Sequence, residues 1–332
     1  MDLKYFKDKR ILITGGTGLI GYNLSMRLLN MPIAKLFITG RSIAKLTNTF
    51  SSTHDNRLVF IEHDACKPIP EDINNIDVIF HAAGPMEREI VLNKPVDVIL
   101  PNIVGTTNLL EFIRNQKEVR NDNPRIVIFS SVTVYNNVTN NDLKVQESDT
   151  CEACSLDAPT VSYAESKRMS EVIAKAYSKQ YGIDAVIARF STVYGFTKNI
   201  PNTAFFEFIN KAIEGKPIIL NGTSFPRRDN IYIEDAIDGL LTIACKGQSG
   251  ESYNISSGGD LGNFAAVDEI ALVIAETASE ILDRQSVDVM IKTEQSRKPG
   301  LSLVNTKLKS LGWALNTSMK EGINKTINLI IS

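Results

Sequence analysis

Short apolar runs alternate with longer segments of helical period over the first 190 residues. The longer segments, at 22–29, 102–117 and 163–180, repeat apolar residues at the three- and four-residue spacing of a helix with one buried face. The apolar runs are typical of strands in a parallel sheet that is covered on both faces, and they occupy 11–13, 34–39, 58–61, 78–81, 125–129 and 185–188. This alternation predicts an α/β fold with a doubly wound parallel sheet.

Glycines at 15, 18 and 21 lie between the first predicted strand and the first predicted helix. Gly15 permits a sharp turn, Gly18 lets the backbone approach a pyrophosphate, and Gly21 leaves room for the helix to pack on the sheet. The first N–H groups and the positive dipole end of the helix would face the phosphates. Glycine turns also occur in ordinary loops, but this position favours dinucleotide binding. The expected contacts here are Gly15, Thr17, Gly18, Leu19, Ile20 and Gly21.

The pattern becomes irregular beyond residue 190. The elements predicted there are helices near 203–215, after 235, at 264–277 and a closing one at 306–311, with strands at 217–220 and 287–291. The segment 231–235 precedes the second of these helices. We interpret residues 1–190 as a Rossmann-type dinucleotide-binding domain, to which segments near 229–256 return. Residues 191–228 and 257–332 are then mainly a smaller, interleaved C-terminal substrate domain over the strand ends.

The second predicted strand ends in Gly40-Arg41-Ser42, without the acidic residue that binds the adenosine ribose in many dinucleotide folds. Arg41 and Ser42 suit a 2′-phosphate instead, which favours NADP(H) over NAD(H). A solvated loop arginine is the alternative interpretation. The other expected cofactor contacts are Asp64, Ala65, Ala82, Ala83, Gly84 and Asn102.

Composition excludes several classes of partner. The formal net charge of -2 and the pI near 6.0 give no reason to expect nucleic acid or an acidic membrane as a general partner. The first ten residues are rich in charged side chains, and we expect no apolar run as long as a membrane span. We therefore expect a cytoplasmic protein with no membrane partner.

The four cysteines are Cys66, Cys151, Cys154 and Cys245. Cys151 and Cys154 have the spacing of half a zinc site or of a redox pair, but there is no second pair, and the three histidines all precede residue 82. We expect reduced, unpaired cysteines and no metal, with a redox or metal role as the alternative.

Tyr163 and Lys167 are four residues apart at the start of a predicted helix, so they share one face. A phenol holds its proton to a pKa near 10, and acid–base work near neutrality requires a pKa about 3 units lower. The positive charges of a neighbouring ammonium and of an oxidised nicotinamide ring could stabilise the phenolate and so lower this pKa. Ser131, at the end of a neighbouring strand, can hydrogen-bond the substrate oxygen with which Tyr163 would exchange a proton. A Tyr–Lys pair at this spacing often occurs by chance. Together with the glycine turn and Ser131, however, the pair predicts a catalytic site.

These motifs resemble, in order and spacing, those of the extended short-chain dehydrogenase/reductases, in their NAD-dependent epimerase/dehydratase branch. The similar segments cover nearly the whole chain and include Thr14-Gly-Gly-Thr-Gly-Leu-Ile-Gly21, His81-Ala-Ala-Gly84, Asn102-Ile-Val-Gly-Thr106, Tyr163-Ala-Glu-Ser-Lys167, Arg189-Phe-Ser-Thr-Val-Tyr-Gly195, Arg228-Asp-Asn-Ile-Tyr-Ile-Glu-Asp235 and Leu311-Gly-Trp313. The resemblance implies a nucleotide-activated sugar as the substrate. It also implies that Tyr163 is the acid or base on a sugar hydroxyl, Lys167 contacts the nicotinamide ribose, and Ser131 polarises the reacting oxygen.

The resemblance further implies contacts with the substrate. Arg228 matches the position that meets the nucleotide diphosphate, although a surface salt bridge is the alternative and Arg227 beside it could take the role. Arg297 or Lys298 lies near a second such position. The other expected substrate contacts are Met86, Ser131, Val132, Thr133 and Thr192.

Helices 102–117 and 163–180 carry more apolar surface than one face of a sheet requires. In relatives the corresponding helices pair into a four-helix interface, so the resemblance implies a homodimer. Packing of both apolar faces within one subunit is the alternative.

Three departures from the family pattern bear on the reaction. Val132-Thr133 stands where sugar dehydratases carry an Asp-Glu pair, Thr192 stands where many relatives carry an asparagine, and the second strand lacks its acidic residue. The first counts against 4,6-dehydration, the second leaves the sugar open, and the third leaves the cofactor open.

We therefore expect a nucleotide-sugar 4-epimerase first and an NADPH-dependent nucleotide 4-keto-sugar reductase second. A non-catalytic dinucleotide-binding regulatory protein is the alternative of another class, because a fold alone does not determine function. The presence of Ser131, Tyr163 and Lys167 argues against that third hypothesis.

Overall fold

The computed structural model describes residues 3–120, 123–135, 143–149, 153–201, 203–221, 225–292 and 299–332. It has an α/β fold around a parallel sheet of seven strands, as the hydrophobic pattern predicts. The strands are β1 Arg10–Thr14, β2 Lys35–Gly40, β3 Leu58–Glu62, β4 Val78–His81, β5 Arg125–Ser131, β6 Leu143–Val145, β7 Ala185–Phe190, β8 Thr192–Tyr194, β9 Ile218–Leu220, β10 Arg228–Tyr232, β11 Ser252–Ile255, β12 Phe264–Ala265, β13 Val289–Ile291 and β14 Leu301–Leu303.

The helices end where the sequence provides recognisable signals. Gly182 and Gly215 adopt the left-handed conformation at the ends of two of them, and Ser318 with Glu321 forms a capping box at the start of the last. The helices are α1 Leu19–Leu29, α2 Ile43–Thr49, α3 Arg88–Asn93, α4 Pro95–Arg120, α5 Val161–Tyr181, α6 Ala204–Glu214, α7 Ile233–Lys246, α8 Val267–Leu282, α9 Thr306–Ser310 and α10 Met319–Ile331.

The large sheet has the strand order β3-β2-β1-β4-β5-β7-β11. Thr14, Thr39 and His81 lie in register at the carboxyl ends of β1, β2 and β4. The strand order reverses direction between β1 and β4, and a crevice at such a reversal is where open α/β sheets bind ligands. The register therefore brings the loops after β1, β2 and β4 to one edge of the sheet.

Both faces of the large sheet are covered by helices. Ile11 and Ile13 belong to a hydrophobic cluster that includes Leu24 and Leu28 of α1. Leu12, between them, belongs to a second cluster that includes buried residues of α4. Because successive side chains of a strand point to opposite faces, β1 is apolar throughout, and this is the pattern that identified it in the sequence.

A smaller sheet is assembled from distant parts of the chain, with the order β12-β10-β14-β6 and β8 beside β10. Asp229 of β10 connects its parts, since the carboxylate accepts hydrogen bonds from the Ser257 hydroxyl at 2.6 Å and the Leu303 N–H at 3.0 Å. Burial raises the pKa of Asp229, although these hydrogen bonds act in the opposite direction. β9 and β13 form a separate two-stranded sheet.

Several elements differ from the sequence prediction. The segment before Tyr163, where the sequence pattern predicts no helix or strand, contains β6, which pairs with β14. The helix expected at 264–277 is α8, three residues later, because Phe264 and Ala265 form the short strand β12. The expected closing helix is followed by a further one, α10. β11, within the segment expected to return, pairs with β7 in the large sheet.

Helix α4 begins at Pro95, earlier than the predicted start at residue 102, and it contains Pro101. Its segment Pro95–Val119 contains an 18-residue window with a mean hydropathy of 1.3, so it is long and apolar enough to cross a membrane by length and composition. The expectation that no segment reaches this length was therefore wrong. One such helix is weak evidence for a membrane, because helices in protein cores pass the same test. α4 packs against α5, and Leu109, Leu110 and Ile113 are buried.

Candidate active site

The loop between β1 and α1 has the shape that the glycine pattern predicts. A Cβ atom on Gly15 would lie 2.8 Å from the Ala83 nitrogen, and one on Gly21 would lie 2.5 Å from the Gly15 oxygen, so both positions require glycine. A Cβ on Gly18 would have no neighbour closer than 3.6 Å. Gly18 begins α1 with no side-chain cap. The helix therefore has open N–H groups at an exposed glycine, which fits the pyrophosphate of a dinucleotide.

The residues beside Gly18 lie at the same end of α1. Leu19 and Ile20 form its first turn and are partly exposed, as is Thr17. The Thr17 carbonyl accepts a hydrogen bond from Asn199 Nδ2 at 3.1 Å, and Asn199 also donates to the Thr49 hydroxyl at 2.8 Å. The segment between β8 and α6 is thus hydrogen-bonded to the glycine loop. No local sequence signal predicts this contact, because the two residues are distant in the chain.

At the end of β2, Arg41 is exposed and forms no ion pair with any residue that the structure describes. The Ser42 hydroxyl accepts a hydrogen bond from the Lys45 N–H at 3.2 Å and caps α2. Glu62 of β3 lies in register with Gly40, and its carboxylate accepts from the Ile43 N–H at 2.9 Å. An acidic side chain thus does lie at this edge, on the next strand rather than on β2. Glu62 was not predicted as a site residue, although its place directly after the predicted strand 58–61 was a usable signal.

The other expected cofactor contacts lie along the same edge. Asp64 accepts a hydrogen bond from the Cys66 N–H at 3.0 Å, and the Ala65 carbonyl accepts one from Asn108 at 3.0 Å. Ala82 follows β4, and the Ala83 N–H donates to the Thr14 hydroxyl at 3.2 Å. These contacts position the backbone after β3 and β4 beside the glycine loop.

Gly84 joins this edge to the helix α5. A Cβ atom on Gly84 would lie 2.6 Å from the Asn102 side-chain oxygen and 3.4 Å from Lys167 Nζ. The buried Asn102 donates to the Ser166 hydroxyl at 2.9 Å and to the Val98 carbonyl at 2.9 Å. Asn102 therefore links α4, α5 and the turn after β4 around the side chain of Lys167.

Ser131, Tyr163 and Lys167 come together at the end of β5 and the start of α5. The Ser131 hydroxyl lies near enough to the Tyr163 hydroxyl to lower its pKa, and the Lys167 Nζ atom lies 5.9 Å from the centre of the Tyr163 ring. Lys167 is 6% exposed and donates to the Phe129 carbonyl at 2.9 Å. The structure therefore brings the three predicted catalytic residues into one cluster.

Burial shifts the proton affinities of this cluster. It raises the pKa of Tyr163, and the nearby Ser131 hydroxyl lowers that pKa by less. It lowers the pKa of Lys167 to about 8. Burial and the nearby Lys167 lower the pKa of His81 to about 3, so this imidazole is neutral, with Nδ1 at 2.8 Å from the Thr14 hydroxyl. The protein's own groups therefore raise the pKa of Tyr163, whereas the lowering predicted from the sequence requires Lys167 together with an oxidised nicotinamide ring.

Val132 and Thr133 belong to a short 3₁₀ turn directly after Ser131. The Thr133 N–H donates to the Ser131 hydroxyl at 3.2 Å. The Thr133 hydroxyl is buried and has no hydrogen-bond partner among the residues that the structure describes. A buried hydroxyl without a partner is costly, so a polar ligand group at this position would be stabilised.

The remaining expected substrate contacts are less closely grouped. Thr192 of β8 is exposed and lies in register with Asn230 on β10, the strand that begins with the exposed Arg228. Met86 is exposed in the loop after β4. The expected contact Arg297, its neighbour Lys298 and the cysteine Cys151 lie outside the described residues.

Arg227 and Arg228 differ in their surroundings. Arg227 forms an ion pair with Glu269 at 2.6 Å. Among the described residues Arg228 has no ion-pair partner, so the surface salt bridge that we considered for Arg228 is formed by its neighbour.

The cysteines and other candidate metal ligands do not converge within the part of the chain that the structure describes. No group of three or more His, Cys, Asp or Glu side chains there could hold a metal ion. No disulfide joins the cysteines Cys66, Cys154 and Cys245 within the described residues, and burial raises the pKa of the Cys66 and Cys154 thiols.

The sequence profile of the NAD dependent epimerase/dehydratase family matches residues 11–256. The chain belongs to this family. It is therefore an enzyme of the extended short-chain dehydrogenase/reductase type, and the cluster described above lies within the matched residues.

Individual relatives of this epimerase/dehydratase family enzyme differ in reaction. The chain is 27% identical over 328 residues to the dTDP-D-glucose 4,6-dehydratase of Bos taurus, covering 96% of the chain and 88% of the relative. It is 27% identical over 326 residues to the UDP-glucuronic acid decarboxylase 1 of Danio rerio, covering 96% and 72%. Among solved structures, epimerase Mth375 of Methanothermobacter thermautotrophicus superimposes with a TM-score of 0.79 at 21% identity, covering 99% and 94%. The family enzyme is thus of the nucleotide-sugar epimerase/dehydratase type.

Proposed function

We propose that this family enzyme is a nucleotide-sugar 4-epimerase that acts by transient oxidation at the sugar C4. The observation that carries the proposal is the Ser131, Tyr163 and Lys167 cluster directly followed by Val132 and Thr133. A cluster of this kind can move a proton at a sugar hydroxyl. The turn after Ser131 offers an apolar side chain and a hydroxyl where sugar dehydratases carry an acidic pair, so it lacks the acid–base groups that elimination of water needs.

In this proposal Tyr163 takes the proton of the C4 hydroxyl while the hydrogen at C4 leaves as a hydride. A nicotinamide cofactor, when bound, would supply the reversible acceptance of this hydride. Ser131, beside Tyr163, would hydrogen-bond the substrate oxygen and hold it in place. The resulting ketone must turn over before Tyr163 returns its proton, so that reduction occurs on the opposite face and inverts C4.

The proton transfer requires a positive environment around Tyr163, because burial alone raises its pKa. Lys167 supplies one positive charge at 5.9 Å from the ring centre, and with a pKa of about 8 it remains mostly protonated at neutral pH. An oxidised nicotinamide carries a second positive charge. The residues that would hold it are the glycine loop, Ala82 to Gly84, Asn102 and Lys167.

On the substrate side we assign Arg228 to the diphosphate of the nucleotide sugar. Its guanidinium is exposed and has no ion-pair partner among the described residues, whereas that of Arg227 is engaged by Glu269. The Thr133 hydroxyl, buried and unpartnered in the described chain, would bind a sugar hydroxyl. Thr192 and Met86 would border the sugar and nucleotide, and Arg297 keeps its predicted role at the diphosphate.

A 4-keto-sugar reductase that uses NADPH is the second candidate. Arg41 supports it, because an exposed guanidinium after β2 can bind a 2′-phosphate. Glu62 opposes it, because its carboxylate lies at the same edge and would repel that phosphate. Preference for NADP(H) over NAD(H) therefore remains a proposal tied to Arg41.

The test begins with the ligands that the purified protein carries. Acid precipitation followed by mass spectrometry of the supernatant should identify bound NAD(P) and nucleotide. The protein is then incubated with UDP- and dTDP-linked hexoses, and the configuration at C4 is followed by nuclear magnetic resonance. An epimerase inverts C4 with no net change in reduced cofactor. Consumption of NADPH in proportion to a 4-keto-sugar would overturn the proposal in favour of the reductase.

Two tyrosine variants test the assignment of Tyr163. Tyr163→Phe removes only the phenolic hydroxyl, and we expect C4 inversion to fall by at least about a thousandfold. Tyr177→Phe makes the same change further along α5, where the hydroxyl donates to Glu111, and it should retain activity. Unchanged activity of Tyr163→Phe would remove the mechanism.

A further inference from the structure

A buried ion pair lies one helical turn beyond Lys167. Glu171 accepts two hydrogen bonds from Arg189, from Nε at 2.9 Å and from Nη2 at 2.7 Å. Glu171 is 5% exposed. Tyr163, Lys167 and Glu171 are spaced by four residues, so they share one face of α5. No step of the proposed reaction uses this pair.

The same carboxylate is bound to the strand that carries Ser131. The Ser130 hydroxyl donates to Glu171 Oε1 at 2.5 Å, and Ser130 is the residue before Ser131 on β5. Ser130 lies in register with Arg189 on β7. Glu171 therefore connects α5 to the carboxyl ends of β5 and β7.

Arg189 extends the connection to the turn after Ser131. Its Nη1 donates to the Tyr135 hydroxyl at 2.9 Å and to the Glu147 carbonyl at 3.2 Å. Tyr135 ends the 3₁₀ turn and donates to the Asn254 side chain at 2.7 Å. The two elements that carry Ser131 and Tyr163, the strand end and the helix, are thus attached to one buried network.

The energetics of burial indicate what such a network contributes. Removing two charges from water offsets most of their attraction, so a buried ion pair is weak evidence for stability. What a fully hydrogen-bonded pair does provide is a fixed separation between the elements that carry it. Here those elements are α5 with Tyr163 and β5 with Ser131.

We infer that Glu171 and Arg189 are positioning residues that set the separation of the Tyr163 and Ser131 hydroxyls. Ser130 transmits this constraint to β5, and Tyr135 transmits it to the turn after Ser131. The inference rests on the proposed role of Tyr163 as acid and base. Its structural part, the distance between two hydroxyls, can be measured without any substrate.

The test observes the surroundings of the Tyr163 hydroxyl directly. Protein labelled with ¹³C at the tyrosine ζ carbon gives one signal per tyrosine, and the Tyr163 signal is identified by its loss in Tyr163→Phe. Ser130→Ala removes one bond to Glu171 and changes no charge, so the ion pair remains. We expect the Tyr163 signal to move or to split into two populations at neutral pH in this variant. Glu171→Gln should produce a larger change of the same kind.

Asp184→Asn is the matched control. Arg125 and Asp184 form an ion pair between the opposite ends of the same two strands, with Arg125 Nε at 2.8 Å from the carboxylate. Loss of this pair should lower stability and leave the Tyr163 signal unchanged. An unchanged signal in Ser130→Ala, or an equal change in Asp184→Asn, would overturn the inference even if Glu171→Gln fails to fold.

With a substrate in hand, a second measurement separates positioning from binding. Ser130→Ala should lower kcat by about tenfold, because small displacements of reacting groups are costly, and should leave KM within about twofold. A rise in KM with unchanged kcat would contradict the inference. If no epimerase activity is found in the unmodified enzyme, the ¹³C signal still decides whether Glu171 holds Tyr163 against Ser131.

Discussion

The ammonium group of Lys167 lies where its charge is destabilised by burial. Its pKa is lowered from 10.5 to about 8, so between these values the unfolded chain binds more protons than the folded one. The free energy of unfolding therefore rises with pH across this window, and the full cost is present below about pH 8. Lys167 thus lowers the stability of the protein at neutral pH while it supplies the charge near Tyr163.

Lys167→Met should be more stable than the unmodified protein and inactive. The pKa shift corresponds to about 3 kcal/mol, and loss of the hydrogen bond to the Phe129 carbonyl removes about 1, so we expect a gain of about 2 kcal/mol at pH 7. Urea unfolding at pH 7 and pH 10 measures it. The gain should shrink at pH 10, and a gain that stays constant with pH would show that the charge is not its cause.

Arg41 and Glu62 make opposite predictions for the cofactor. If Arg41 binds a 2′-phosphate, Arg41→Ala should lower the affinity for NADP(H) by roughly ten- to a hundredfold, which is the effect of a charge-assisted hydrogen bond. The affinity for NAD(H) should be nearly unchanged. Glu62→Gln should raise the affinity for NADP(H), because it removes a negative charge that repels the 2′-phosphate. Fluorescence titration with both cofactors measures the four constants. Equal losses for both cofactors in Arg41→Ala would leave the reductase hypothesis without its main support.

At the scale of elements, the segment 196–201 is attached to the glycine loop. Asn199 donates to the Thr17 carbonyl, and Asn23 of α1 donates to the Phe196 carbonyl at 2.9 Å. An epimerase must retain its cofactor through oxidation and reduction. Contacts that hold the glycine loop in place should therefore slow the release of the cofactor. We expect Asn199→Ala to raise the cofactor dissociation rate by about fivefold, the effect of one hydrogen bond.

Displacement by excess cofactor in a stopped-flow instrument measures this rate. Asn328→Ala on the exposed face of α10, far along the chain from the glycine loop, is the control. A dissociation rate that is the same in both variants would show that Asn199 does not retain the cofactor.

Elements were predictable from sequence where burial is complete and local pattern decides the structure. β1, β4 and β7 are apolar runs because both faces of the sheet are covered, and Tyr163 and Lys167 were recognised because four-residue spacing fixes a shared helix face. β6 was missed because a strand of three residues is stable only through β14, which lies more than 150 residues later. The contacts of Glu171 and Asn199 were missed for the same reason, since their partners are set by the tertiary fold.

At the scale of the whole molecule, α4 and α5 leave apolar side chains exposed. Met169 and Val172 of α5 are 45% and 54% exposed, and Leu100 of α4 is 43% exposed. These side chains are not covered within one subunit, so the alternative of purely internal packing does not account for them. A homodimer through these helices stays our prediction.

Light scattering at micromolar concentration should give twice the subunit mass of 36.7 kDa. Met169→Lys should yield the monomer, because it places a charge in the apolar interface. Leu272→Lys on α8, a residue that is 51% exposed, makes the same change elsewhere and should remain dimeric. A monomeric mass for the unmodified protein would contradict the prediction.

The position of β11 at the edge of the large sheet bears on how the chain is synthesised. β7 ends at Phe190, but the neighbour that completes its hydrogen bonds, β11, ends at Ile255. A ribosome adds about 5 to 20 residues per second, so on the order of several seconds pass between the two. During that interval the free edge of β7 can pair with another nascent chain. The length of the intervening segment therefore sets how long each new molecule is exposed to aggregation, independently of the stability it finally reaches.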